Sequence, residues 1–227
     1  MLNLRVERNV AVPMRDGTVL RADVFRPEPE GRYPVLLTRT PYNKSLANLA
    51  YGWLAPVRPA SEGYVVVIQD VRGRFESEGA FKPFHQELND GFDTVEWAAH
   101  QPWSNGRVGM YGISYLGATQ WLAAAAQPPN LEAMFPALTG SDFYDGWTYR
   151  GGAFELGFNL TWAALLLALP EVPRAGLSPQ ELHSLMGGLM GIVGDHWPSI
   201  RHLPIRELPA FGHDVVAPYY KEWLDHP

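Results

Sequence analysis

The chain has 227 residues, 46% of them hydrophobic and 12% aromatic, enough for one large or two modest domains around a sizeable core. Its 24 acidic and 18 basic residues give a formal charge of −6 with no long run of either sign, which argues against a nucleic-acid footprint or a polybasic membrane patch. With no cysteine, a disulfide framework, thiolate metal sites and a cysteine nucleophile are excluded.

Residues 1–12 show no basic stretch followed by an apolar one, so no secretory leader is expected and the cytoplasm is the expected compartment. Arg5–Pro13 and Thr18–Pro27 alternate apolar and polar residues around Arg15-Asp16-Gly17 and predict a hairpin. Tyr33–Arg39 predicts a buried strand, and a weaker helical pattern covers Ala47–Ala60. Tyr64–Gln69 contains Val65-Val66-Val67-Ile68, a β-branched run suited to a strand covered on both faces of a parallel sheet. From Gln86 to Gln101, Leu88, Phe92, Val95 and Ala99 recur at helical spacing. Glu87, Asp90, Asp93 and Glu96 are then expected on a solvated face.

A short strand, Arg107–Tyr111, precedes Ser114, and an alanine-rich helix begins at Tyr115. Leu131–Leu138 predicts another strand, so strand and helix alternate to about residue 140, the pattern of an α/β sheet. Beyond Asp145 the pattern becomes helical, with pieces at Phe154–Leu169 and Ser178–Val193, a looser stretch to Pro227 and no expected strands. Ser178 before Pro179 is a helix start signal. The run Trp162–Leu169 is far shorter than the roughly 18 apolar residues of a membrane span and predicts a buried helix.

Ser114 lies in Gly112-Ile113-Ser114-Tyr115-Leu116-Gly117. Gly-x-Ser is also common in turns without chemistry. A serine between a strand and a helix, with glycines on both sides, matches the nucleophile elbow of α/β hydrolases, where strained backbone needs small neighbours. The second glycine falls one position later than in G-x-S-x-G. There is no G-x-G-x-x-G or G-x-x-x-x-G-K-[ST] for a nucleotide and no H-E-x-x-H for a metal, so neither cofactor nor metal is expected.

Four stretches together resemble the cocaine-esterase-like branch of the X-prolyl dipeptidyl peptidase clan of serine hydrolases. They are Met14–Thr18, Arg39–Lys44, Gln69–Gly73 with Ser77-Glu78-Gly79, and Gly112–Gly117 with Gln120-Trp121. The resemblance implies an α/β-hydrolase core, here the N-terminal part of its sheet in residues 1–145, followed by a helical cap in 146–227. It implies that the Tyr42 hydroxyl and the Tyr115 N–H form the oxyanion hole beside Ser114, although a strand-end tyrosine is also a common core residue. It likens Trp147 and Trp162 to substrate-binding aromatics of the acyl pocket, against a default reading as core. Asp70 and Arg72 are expected to brace their loop by pairing rather than to touch substrate.

A serine needs a histidine to accept its proton and an acid to orient that histidine. Here His183, His196, His202, His213 and His226 all follow Ser114 within the expected cap, and the family's G-W-x-D and G-P-W-x-H segments do not occur. An internal set from Asp142 and His213 is the weaker option. The chain is therefore expected to be the N-terminal portion of a larger hydrolase, with the triad acid and histidine outside it. A sheet ending at residues 131–138 leaves an apolar edge that the missing C-terminal segment or a partner would cover. The expected activity is hydrolysis of a small-molecule ester or acyl-amide through an acyl-enzyme on Ser114. An X-Pro dipeptidyl aminopeptidase and a non-catalytic scaffold remain as alternatives.

Overall fold

The structure, a computed structural model, describes residues 3–28, 30–46, 54–212 and 216–225. It divides into two compact units, Met1–Ser141 and Asp142–Pro227.

The first unit is built on six strands: β1 (Leu4–Pro13), β2 (Val19–Pro27), β3 (Tyr33–Thr40), β4 (Val65–Asp70), β5 (Ser104–Ile113) and β6 (Leu131–Ala137). They lie in the order β1-β2-β4-β3-β5-β6. β1 pairs with β2 and β2 with β4 antiparallel, whereas β4, β3, β5 and β6 run parallel. The sheet is thus mixed, with an antiparallel hairpin at one edge. That hairpin turns at Gly17, whose φ of +86° suits a residue without a Cβ.

Helices α1 (Val57–Ser61), α2 (Glu87–Ala99) and α3 (Tyr115–Ala125) link the strands. Residues 47–53, half of the helical stretch expected at Ala47–Ala60, lie outside the described residues. Val65 and Val67 pack with Val95, Ala98 and Ala123 of α2 and α3, while Val66 and Ile68 pack with Phe25 and Ala60. The central strand β4 is therefore buried on both sides, which is why its apolar residues run together instead of alternating. Burying each of these four side chains contributes about 1.5–3 kcal/mol. Helices α2 and α3 meet at Gly91, where a Cβ would lie 2.7 Å from that of Ala123.

The face that α2 turns inward is only partly the expected one. Val95 and Ala99 are buried as expected, but Leu88 is 38% exposed, whereas Glu87 and Asp90 are 3% and 1% exposed, together with buried Gly91, Thr94 and Ala98. The physical reason lies on neighbouring strands and loops. Arg39 and Arg72 meet these carboxylates, so the polar side of the helix packs inward against charge rather than toward water.

At the other edge, β6 pairs with β5 on one side, and among the described residues no strand pairs with its other side. Phe135 and Leu138 there are 61% and 79% exposed. Gln120 ties this edge to the rest: its amide nitrogen donates to the carbonyls of Gly112 (3.2 Å) and Leu116 (2.9 Å), and its oxygen accepts from Phe135 N (3.0 Å).

The second unit contains a strand pair the sequence reading did not expect, β7 (Tyr149–Arg150) with β8 (Ala153–Phe154). Gly151 and Gly152 form its turn with φ of +56° and +83°, the left-handed pair that a two-residue hairpin needs. Helix α4 (Leu156–Trp162) continues as a π-helical segment at Ala163–Ala168, closed by Leu169 N donating to Ala164 O at 3.0 Å. Ala163, Ala164, Leu167 and Ala168 are buried as expected for this run, but Leu165 faces out. Helix α5 (Pro179–Gly194) starts as its sequence predicts. Ser178 Oγ accepts from Glu181 N, and the Glu181 carboxylate accepts from Ser178 N at 2.9 Å. Short helices α6 (Trp197–Ile200) and α7 (Pro218–Asp225) follow. Among the described residues, no helix is long and apolar enough to cross a membrane.

Candidate active site

Ser114 sits between the last residue of β5 and the first of α3, at φ +56° and ψ −126°. An L-residue adopts such a backbone at a cost of about 1–3 kcal/mol, and keeps it only where its surroundings over-determine it. They do so here. Ser114 N donates to Ala137 O at 2.9 Å, and its carbonyl accepts from Gly117 N (2.8 Å) and Ala118 N (3.0 Å). Both flanking glycines are required by contact. A Cβ on Gly112 would fall 2.4 Å from that of Leu116, and one on Gly117 would fall 2.6 Å from the Thr139 methyl.

Tyr115, next in the chain, is fully buried. Its hydroxyl donates to Glu87 Oε1 at 3.0 Å and accepts from Phe84 N at 2.9 Å. Burial, and then the neighbouring Glu87, push this phenol well above its ordinary pKa, so it stays protonated. The ring stacks on Phe84 at 5.0 Å and meets the ring of Tyr42 edge-on, with centroids 6.4 Å apart. The strand ends β3 and β5 therefore deliver Tyr42 and the Ser114–Tyr115 turn to the same place.

The segment carrying Tyr42 is held at several points. Tyr42 N donates to Thr40 Oγ1 (3.0 Å), and buried Arg74 donates to the Pro41 carbonyl (2.9 Å). Lys44 N and Nζ donate to the two oxygens of Asp70 at 2.7 Å and 3.0 Å, both residues being buried. Burial pushes the Asp70 carboxyl above its ordinary pKa, and the Lys44 charge opposes that rise. Arg72 pairs bidentately with Asp90 at 2.6 Å and 2.9 Å and reaches Asp16 at 2.8 Å. Asp70 and Arg72 thus brace loops, through partners other than each other.

In the second unit, Trp147 and Trp162 are both buried and lie 5.6 Å apart edge-on, in a cluster with Phe158 and Trp223. Asp142 accepts the N–H groups of Tyr144 and Asp145, which makes it a turn residue. His196 stacks on Trp197, and His183 is exposed. His213, the partner weighed for Asp142, and His226 lie outside the described residues. Among the described residues no cluster of three histidines and carboxylates is arranged to hold a metal ion.

Sequence reasoning missed Arg39 and Glu87 as parts of this region. Arg39 Nη1 meets Glu87 Oε2 at 2.5 Å, and its Nε donates to Gln69 Oε1 at 2.6 Å, all buried. The available signal was an arginine inside an otherwise apolar strand, which demands a buried carboxylate somewhere in the fold.

Residues 16–183 match the X-Pro dipeptidyl-peptidase (S15) family. The chain belongs to this family of serine hydrolases. It is 38% identical to the cocaine esterase of Rhodococcus sp. (strain MB1 Bresler) over 230 residues, covering 99% of this chain and 39% of the esterase. A solved CocE/NonD family hydrolase from Staphylococcus aureus superposes with a TM-score of 0.64 at 32% identity, over 70% of this chain and 32% of that one. An aminopeptidase from a Thaumarchaeota archaeon superposes at 0.59 with 26% identity, over 88% and 37% of the two chains. The S15 family membership and the α/β-hydrolase fold are those that the four motifs implied. The chain spans well under half the length of each of these relatives.

Proposed function

We propose that this S15 family chain carries the nucleophile and the oxyanion hole of an enzyme that hydrolyses carboxylic esters through an acyl-enzyme. The observation that supports this best is Ser114 itself, a non-glycine residue at φ +56° on the turn between β5 and α3, with no room for a Cβ at Gly112 or Gly117.

In this reading Ser114 Oγ attacks the ester carbonyl and its proton passes to a histidine. The carbonyl oxygen becomes an oxyanion, received by the Tyr42 hydroxyl and the Tyr115 N–H, and the alcohol leaves with the proton from the histidine. Water then repeats the sequence on the acyl-enzyme. Each oxyanion donor is worth about 3–4 kcal/mol of transition-state stabilisation. The histidine and its acid are proposed to come from outside residues 1–227, in agreement with the 39% of the cocaine esterase that the chain covers. The same outside segment is proposed to pair with the open side of β6, where Phe135 and Leu138 are exposed. Ester is preferred to peptide as substrate because the match to an esterase runs over 99% of the chain.

Labelling with a fluorophosphonate probe tests the reading. The full protein should label at Ser114, and Ser114→Ala should abolish both labelling and ester turnover. A full protein that does not label, or turnover that survives in Ser114→Ala, would leave a scaffold or a different nucleophile instead.

A further inference from the structure

Glu87 is a buried carboxylate whose two oxygens serve two different parts of the proposed site. Oε1 receives the hydroxyl of Tyr115 at 3.0 Å, and Oε2 receives Nη1 of Arg39 at 2.5 Å. Because Phe84 N donates to the same hydroxyl at 2.9 Å, the hydroxyl's own proton is directed at Glu87. This fixes the Tyr115 ring, which stacks on Phe84 at 5.0 Å and also contacts the rings of Phe81 at 6.2 Å and Tyr42 at 6.4 Å. Arg39 lies on β3 just before Thr40-Pro41-Tyr42 and is clamped from its other side by Gln69 at 2.6 Å. The two residues proposed as oxyanion donors are therefore anchored to one carboxylate, Tyr115 through its side chain and Tyr42 through the strand that delivers it. Burial pushes the Glu87 carboxyl above its ordinary pKa, while Arg39 opposes this.

We infer that Glu87 is a positioning residue for the oxyanion hole, holding the Tyr115 amide and the Tyr42 hydroxyl in register with Ser114. The inference rests on the roles proposed above for those three residues. Two donors stabilise an oxyanion only if their mutual geometry is set before charge develops, so loosening their common anchor weakens the transition state more than the bound substrate.

The test uses the full protein, a p-nitrophenyl ester and a boronic acid that adds to the nucleophile as a tetrahedral anion. Tyr115→Phe keeps the ring and deletes only the hydroxyl that Glu87 receives. It should lower kcat about tenfold, leave KM within about twofold, and raise the boronic acid Ki by the same factor as the fall in kcat. Glu87→Gln should act in the same direction and at least as strongly, because it also weakens the contact with Arg39, and the double variant should lose little more than Glu87→Gln alone, because the Tyr115 hydroxyl acts through Glu87. Should Glu87→Gln fail to fold, Tyr115→Phe decides alone. A folded Tyr115→Phe with unchanged kcat, with a loss in KM only, or with an unchanged boronic acid Ki would overturn the inference. Those results obtained while Ser114→Ala still abolishes turnover strike at Glu87 alone, whereas turnover surviving Ser114→Ala strikes at the function proposed above.

Discussion

Gly117 and Thr139 approach so closely that a methyl group on the glycine would lie 2.6 Å from the Thr139 methyl and 2.8 Å from its Cβ. The contact seats α3 against the chain just beyond β6, and it fixes where the Ser114 turn can sit. Gly117→Ala should therefore overpack this point and destabilise the protein by about 1–3 kcal/mol. Thr139→Gly in the same chain should restore most of the loss. Urea denaturation of the single and double variants measures this, and a Gly117→Ala protein as stable as the parent would contradict the geometry.

The backbone of Ser114 stores strain that glycine would relieve. Ser114→Ala keeps the Cβ at φ +56°, while Ser114→Gly removes it. The glycine variant should be the more stable of the two by about 1 kcal/mol, the relief exceeding the entropy glycine loses on folding. Thermal melts of the two variants side by side give the comparison, and equal stability would mean the turn is unstrained.

Lys44 and Asp70 are both buried and hold each other by two contacts, 2.7 Å from the lysine amide and 3.0 Å from its ammonium. Lys44→Met leaves the carboxylate without its opposing charge, a loss of about 3–5 kcal/mol near neutral pH. The pH dependence has a definite sign. The folded pKa of Asp70 lies above 3.8, chiefly through burial, so its contribution favours the folded state at low pH and is lost as pH rises through the folded value. Removing Lys44 raises that value further. The deficit of Lys44→Met should widen as pH rises above 3.8, and Asp70→Asn added to it should remove the widening.

Asp16 behaves in the opposite way. The Arg72 side chain, followed by the Thr18 N–H, holds its carboxyl down at about 2 instead of 3.8. Its contribution is present above the ordinary value and is lost as pH falls through about 2. Asp16→Asn should melt below the parent at about pH 5, and the two should converge as acid protonates the parent's carboxylate. A carboxyl that titrates near 3.8 by NMR would remove the basis for this difference.

The six-stranded sheet was legible where local pattern and packing agree. The run Val65–Ile68 could be read because a β-branched stretch buried on both faces looks the same in any parallel sheet. Ser178 with Glu181 was legible because a capping box is a local hydrogen-bond exchange. Ser114 was legible because a serine between a strand and a helix with a glycine on each side is a local pattern, although only Gly112 answers to a contact one turn away, at Leu116, and Gly117 answers to the distant Thr139. The burial of Glu87 and Asp90 was not legible. Their spacing on α2 is that of a solvated face, and the reversal comes from Arg39, 48 residues before Glu87, and Arg72, 18 residues before Asp90. The hairpin at Gly151-Gly152 was hidden for a different reason: two-residue strands carry no periodicity, and the only sign was the glycine pair itself.

Gln120 gives its nitrogen to two carbonyls and its oxygen to one amide, so neither end of the group can be exchanged for the other. The slow loss of ammonia that ages glutamine side chains would change a single heavy atom here and leave the outline of the residue intact. It would also turn two attractions into clashes of lone pairs at Gly112 and Leu116, two residues either side of Ser114. Both carbonyls belong to the segment that carries Ser114, so this one-atom change would loosen the turn while the rest of the sheet stays as it is.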